Sequence, residues 1–272
     1  MLILLSPAKS LDFETPAPVR TGDVPRFLDE QTASLITTLR RKKASDLATL
    51  MDLSDGLANL NRERYQRFDA QLIHGQATSG MTTRAGDGPL PAKQAMWAFT
   101  GDVYQGLDAP SMTAVERKRA QKQIRMLSGL YGVLRPCDLM LPYRLEMGTR
   151  LKTRRGKDLY QFWGSAITDA LGEEKPDWIC NLASKEYYRS VREKELPCQV
   201  VHPVFKDEVK GKFQALGLFA KHARGLMARW IITNKITRPT DLSQFDASGY
   251  RWDDDESSTG TPVFKRSAAA RL

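Results

Sequence analysis

The chain has 272 residues, 41% of them hydrophobic, enough to bury a substantial core. Its 41 Lys and Arg against 32 Asp and Glu give a formal charge of +9, a balance that favours polyanionic partners. Cys137, Cys180 and Cys198 form no Cys-x-x-Cys pair, His74, His202 and His222 lack metal-ligand spacing, and no apolar run is long enough to span a membrane. These features argue against a disulfide framework, a metal centre and a membrane protein.

In chain order, Leu2–Leu5 reads as a buried strand that delivers the polar loop Ser6-Pro7-Ala8-Lys9. The apolar run at the N-terminus is too short for an export signal, so the thiols are read as reduced and the chain as cytoplasmic. Phe13 to Pro25 is a proline-rich surface loop. Phe27 to Phe68 is helical, with stripes at Leu35, Ile36, Leu39 and at Leu47, Leu50, Met51, and a further helix capped by Ser54-Asp55. His74 to Pro91 reads as a loop. Ala95–Phe99 is expected as a second strand, ending in Thr100-Gly101-Asp102.

Thr113 and Glu116 form a capping box at the start of a helix whose basic face carries Lys118, Lys122 and Arg125. The helix is expected to stop near Ser128, where Gly129 and Gly132 permit a tight reversal before Arg135-Pro136. This turn resembles the helix-hairpin-helix DNA-binding motif, Leu-x-Gly-hydrophobic-Gly. Leu127, Gly129 and Leu130 fit it, whereas Tyr131 stands where the second glycine belongs and Gly132 comes one later. The alternative is a glycine-rich terminus that only closes a turn. Arg135, Arg144 and Glu146 either form an ion-paired cluster or present guanidinium groups to phosphate. Lys152, Arg154, Arg155 and Lys157 make a basic segment, and the aromatic helix from Leu159 to Leu171 is read as core.

Trp178–Leu182 is a third strand, followed by a Ser184-capped turn with Lys185, Tyr188 and Arg189. Val200–Phe205 is a fourth strand broken by Pro203, with a hairpin through Asp207–Lys212. The last helix, Phe213 to Ile236, shows Leu218, Phe219, His222, Leu226 and Trp230 on its apolar face. The acidic run Asp253–Glu256 reads as a solvated hairpin tip.

Irregular alternation of strands and helices predicts one α+β domain over 1–272, with a central, mostly buried sheet, surrounding helices and a basic cleft. The SPAKS, TGD and NLASKE segments each follow an apolar run, so they are expected to converge on that cleft, with the hairpin near its rim. The DNA-contact candidates are Lys118, Lys122, Arg125, Ser128, Gly129, Gly132, Arg135, Arg144, Lys185 and Arg189. If the cleft is instead catalytic, Lys9, Asp102 and Lys185, with Tyr143 and Glu146, are the candidate groups, acting on a small anionic or nucleotide-like substrate. No cofactor or metal motif accompanies them, and direct iron binding fits poorly with the scattered His and Cys.

Several segments together resemble the bacterial peroxide stress resistance protein YaaA family: SPAKSLDF (6–13), AFTGDVYQGL (98–107), LSGLYGVLRPCDLMLPYRLEMGT (127–149), LYQFWG (159–164), NLASKEYY (181–188) and KHARGLMARW (221–230). The resemblance covers the whole chain except for the acidic run and the SAAARL end. It implies a cytoplasmic protein that protects against hydrogen peroxide and is linked to keeping unincorporated iron low. It also implies a mixed α/β domain with a positively charged cleft and a helix-hairpin-helix-like element suited to duplex DNA.

Overall fold

β1 (Leu2–Leu5) is buried at every position. A strand without a polar face belongs inside a sheet covered on both sides. The computed structural model, which describes residues 1–18, 22–79 and 90–271, places it at the sheet's centre. The helices α1 (Ala33–Arg40), α2 (Ala44–Met51), α3 (Asp55–Arg67) and α4 (Ala70–Ser79) follow. The loop expected from His74 thus begins as helix, and its positions 80–89 lie outside the described residues. β2 (Lys93–Gln94) leads into α5 (Ala95–Ala98), where a strand was expected. Ala-Met-Trp-Ala has no β-branched residue, and its alanines favour a helical turn. α6 (Asp102–Leu107) comes next.

α7 (Ala114–Gln123) opens with the expected capping box: Thr113 N donates to Glu116 Oε2 at 2.8 Å, and Glu116 N donates to Thr113 Oγ1 at 3.3 Å. Hydrogen bonds from Thr113 and Thr233 hold the Glu116 carboxyl down at about 2. The helix does not run to Ser128. It ends at Gln123, and Ile124–Ser128 is the strand β3, followed by β4 (Gly132–Leu134) and β5 (Leu139–Met140). The glycine turn therefore joins two antiparallel strands, with Ser128 opposite Gly132, and the helix-hairpin-helix reading is corrected to a β-hairpin. Arg125 looks like the next member of the basic helical face because it lies three residues after Lys122. Its guanidinium instead folds back on the carbonyls of Gln121 and Lys122, where a cation satisfies the unpaired end of the helix.

The remaining elements are α8 (Leu159–Trp163), α9 (Ala166–Glu173), β6 (Trp178–Asn181), α10 (Lys185–Tyr188) and β7 (Gln199–Val201). β8 (Val204–Val209), β9 (Lys212–Gln214), α11 (Gly217–Asn234), β10 (Arg251–Trp252) and β11 (Val263–Arg266) complete the chain. The fold is a mixture of α and β. Its central sheet has the order β4-β3-β1-β6-β7, with β3, β1, β6 and β7 mutually parallel and only β4 antiparallel. The ladder aligns Ile124, Ile3, Cys180 and Val201 in one buried row. A second sheet, β10-β11-β8-β9, packs Phe205, Phe245, Tyr250 and Phe264 into an aromatic cluster. Pro203 divides the expected fourth strand into β7 and β8, which join different sheets. The acidic run between β10 and β11 is tied down by Lys265, 2.7 Å from Asp253 and 2.8 Å from Glu256.

The buried face of α11 also differs from expectation. It consists of Ala220, Ala223, Gly225, Met227, Ala228, Ile231 and Ile232, while Leu218 is 64% exposed. Small residues win because α11 crosses α6 almost backbone to backbone. A Cβ on Gly225 would lie 1.9 Å from the Val103 carbonyl, and one on Gly106 would lie 2.3 Å from the His222 carbonyl.

Asp138, buried after β4, accepts a hydrogen bond from Arg135 N at 2.8 Å. Burial pushes its carboxyl up from 3.8 to about 7. Between these values the native state holds a proton that the unfolded chain has released, so its stabilising contribution is lost as pH rises from about 4 to about 7. Asp138→Asn is expected to remove that loss. In urea titrations the variant should gain on the wild type as pH climbs through this window, and parallel pH profiles would contradict the assignment.

Candidate functional site

β1 and β6 are parallel neighbours, so their carboxyl ends lie on the same edge of the sheet. From β1 the order runs to β3 on one side and to β6 on the other. Such a switch point leaves a crevice beyond the strand ends. A cleft of about 400 Å³ lies there, walled by the loop after β1, the start of α6, the turn leading into α10 and the side of α11. The three segments that sequence alone directs to one place do meet: Ser6 and Lys9, Thr100 and Asp102, and Ser184 and Glu186 all line it.

Within the cleft, Lys9 Nζ lies 3.0 Å from Glu146 Oε2, and Arg144 holds the other oxygen at 3.1 Å. The Arg144–Glu146 pair is thus the ion-paired alternative of the sequence reading, while Arg135 is absent from it. Ser184 N donates to Ser6 Oγ at 2.8 Å, and the two hydroxyl oxygens are 3.3 Å apart. Tyr104 OH donates to the Ser6 carbonyl at 2.9 Å, fixing the loop after β1 against α6. Of the proposed catalytic groups, Lys9 and Asp102 share the cleft, whereas Lys185 is exposed outside its lining. Tyr143 is buried behind it, with its hydroxyl 2.6 Å from Ser128 Oγ.

The hairpin sits below the cleft's rim, and its polar groups are used internally. Tyr131 N donates to Ser128 Oγ at 2.9 Å, and Trp163 Nε1 donates to the Gly129 carbonyl at 3.1 Å. A Cβ on Gly129 would lie 2.4 Å from the Leu145 carbonyl, so the following loop already covers the turn. Ser128, Gly129 and Gly132 therefore offer no surface to a phosphate. Arg125 is only 4% exposed and donates through Nε to Glu174 at 2.6 Å. Because β4 runs antiparallel to β3, Arg135 emerges beside the start of β3, as does the end of α7 with Lys122. Lys122, Arg125 and Arg135 thus fall at the opposite end of the sheet from Arg144, Lys185 and Arg189, with Lys118 farther back along α7.

Beside the cleft, Gly148 N donates to Glu186 Oε1 at 2.9 Å and ties the next loop to α10. Beyond that tie lies a second depression of about 570 Å³, lined by Arg150, Lys157, Tyr160 and Arg189. Arg189 stacks over the Tyr160 ring, 4.6 Å from its centroid. Arg150, Lys152, Arg154, Lys157, Lys185 and Arg189 are all exposed, and among the described residues none has a carboxylate partner. Sequence reading missed Arg150, and it gave no role to Lys221 and Arg224 on α11. Their spacing of three residues, which puts both on one side of a helix, was the signal present.

Among the described residues no helix is long and apolar enough to cross a membrane, and no group of three or more His, Cys, Asp or Glu is placed to hold a metal. Relatives of the chain extend over its whole length. It is 46% identical to the UPF0246 protein of Burkholderia lata over 272 residues, covering 98% of each chain. It is 44% identical to the UPF0246 protein of Shewanella piezotolerans, covering 98% of this chain and 99% of that one. The family described as peroxide stress protein YaaA matches residues 1–256, and the chain belongs to that family.

Proposed function

We propose that this peroxide stress protein binds DNA through the exposed basic patch of Arg150, Lys152, Arg154, Lys157, Lys185 and Arg189, and that by covering DNA it limits oxidation driven by unincorporated iron. The observation that carries the reading is the set of exposed cations at and beside the depression of Arg150, Lys157 and Arg189, none of them in an ion pair among the described residues. Asp158, the acidic residue within the depression, is engaged as a helix cap, accepting from Gln161 N at 2.8 Å. Phosphate contacts of this kind position a duplex without reading its bases, so affinity is governed by charge and not by sequence. The net charge of +9 acts in the same direction.

The test is fluorescence anisotropy on two duplexes of unrelated sequence across a salt series. Roughly five phosphate contacts correspond to a log–log slope of about −4 to −5, equal on both duplexes. A marked preference for one sequence would contradict the reading.

A further inference from the structure

The cleft at the ends of β1 and β6 has features that the basic patch does not explain. Lys9 and Arg144 both pair with Glu146 along one wall. Arg224 is different. It is half-buried on α11, it lines the cleft, and among the described residues it has no ion-pair or hydrogen-bond partner. Burial alone lowers its guanidinium pKa. Taking a cation out of water without a counterion is unfavourable, so an anion entering here replaces solvation already lost. Lys221 lies three residues earlier, lines the same cleft and also has no partner among the described residues. Two cations on one helical face match the charge of a phosphate monoester, about −1.5 to −2 near neutral pH.

Asp102, at the start of α6, lines the same cleft and among the described residues its side chain has no hydrogen-bond or ion-pair partner, so it is not paired with either cation. Ser184 Oγ accepts from Ser6 Oγ at 3.3 Å and from Tyr187 N at 3.4 Å, which leaves its own hydrogen to donate. The cleft therefore holds two unpaired cations together with a free carboxylate and a hydroxyl able to donate, within a volume of about 400 Å³. That volume falls in the range of small-ligand sites, roughly 300–1,000 Å³. The neighbouring cavity of about 480 Å³ lacks this arrangement, because its Lys93 is satisfied by the carbonyls of Asp12 and Thr15 at 2.8 and 2.7 Å.

We propose that the cleft binds a small phosphate monoester carrying hydroxyl or amino groups, with Arg224 and Lys221 on the phosphate and Asp102 and Ser184 on the remaining polar groups. This site is independent of DNA contact at the basic patch.

Isothermal titration calorimetry of the full chain with ribose 5-phosphate, ribose and inorganic phosphate tests it. Ribose 5-phosphate should bind more tightly than inorganic phosphate, and ribose should not bind. Arg224→Gln should weaken ribose 5-phosphate by about tenfold or more, the effect of removing a hydrogen bond to a charged group. Lys221→Gln changes an exposed residue and serves as a second variant if Arg224→Gln does not fold; it too should weaken binding. Asp102→Asn should weaken ribose 5-phosphate relative to inorganic phosphate. Absence of ribose 5-phosphate binding at millimolar concentration, or binding untouched by a folded Arg224→Gln or by Lys221→Gln, would overturn the proposal.

Discussion

Asp207→Ala is expected to destabilise the protein by about 3–5 kcal/mol, the cost of removing one partner from a buried ion pair. Asp207 is fully buried on β8, where its Oδ1 accepts from Arg266 Nε at 2.7 Å and its Oδ2 accepts from Tyr250 OH at 2.8 Å. Arg271 Nε stands 3.8 Å away. The truncation would leave the Arg266 guanidinium, itself only 7% exposed, without its counterion inside the aromatic cluster. It would also strand the Tyr250 hydroxyl. Urea unfolding should show the midpoint falling with an unchanged slope. A loss below about 1 kcal/mol, the range of exposed pairs, would mean that solvent reaches these charges.

The second large effect concerns Gly225→Ala. The three atoms nearest the added methyl are all main chain: Val103 O, Leu107 N at 2.8 Å and Gly106 Cα at 2.9 Å. Flexible side chains can swing aside, but packed helices must separate, and overpacking of this kind costs roughly 1–3 kcal/mol or more. Gly217→Ala, at the start of the same helix, has open space around it and is expected to stabilise by about 0.5–1 kcal/mol. Because α11 carries Lys221 and Arg224 and α6 begins at Asp102, separation of the helices also widens the cleft. Gly225→Ala should therefore lose ribose 5-phosphate affinity together with stability, and Gly217→Ala should lose neither. Thermal unfolding and titration of the two variants side by side check this, and equal stability of the pair would refute the crossing.

The parts of the fold that were legible in sequence are those set by local chemistry. Leu2–Leu5 is buried because it is apolar throughout, the Thr113–Glu116 box starts α7, and Lys210-Gly211, both at positive φ, close the β8–β9 hairpin. The convergence of three polar segments was also legible, since each follows a buried stretch that ends at the cleft. What was not legible depends on distant partners. Ile124 begins a strand because Ile3 stands beside it, a parallel pairing with no trace in the neighbouring residues. Basic spacing through Lys118, Lys122 and Arg125 suggested continued helix, whereas Arg125 acts as the cap that ends it. Lys122 and Arg135 are exposed, but strand direction puts them far from Lys185 and Arg189. The glycine turn looked like a ligand-binding backbone because a close approach is what it makes, although to Leu145 and not to phosphate.

The location of DNA contact is tested most directly by repeating the anisotropy salt series with two variants. These are Arg150→Ala/Lys157→Ala/Arg189→Ala in the patch and Lys118→Ala/Lys122→Ala on α7. The patch variant should bind both duplexes more weakly and reduce the salt slope by about 3, while the α7 variant should match the wild type. A flattened slope in the α7 variant with an unaffected patch variant would contradict the account and return the contact to the opposite end of the sheet.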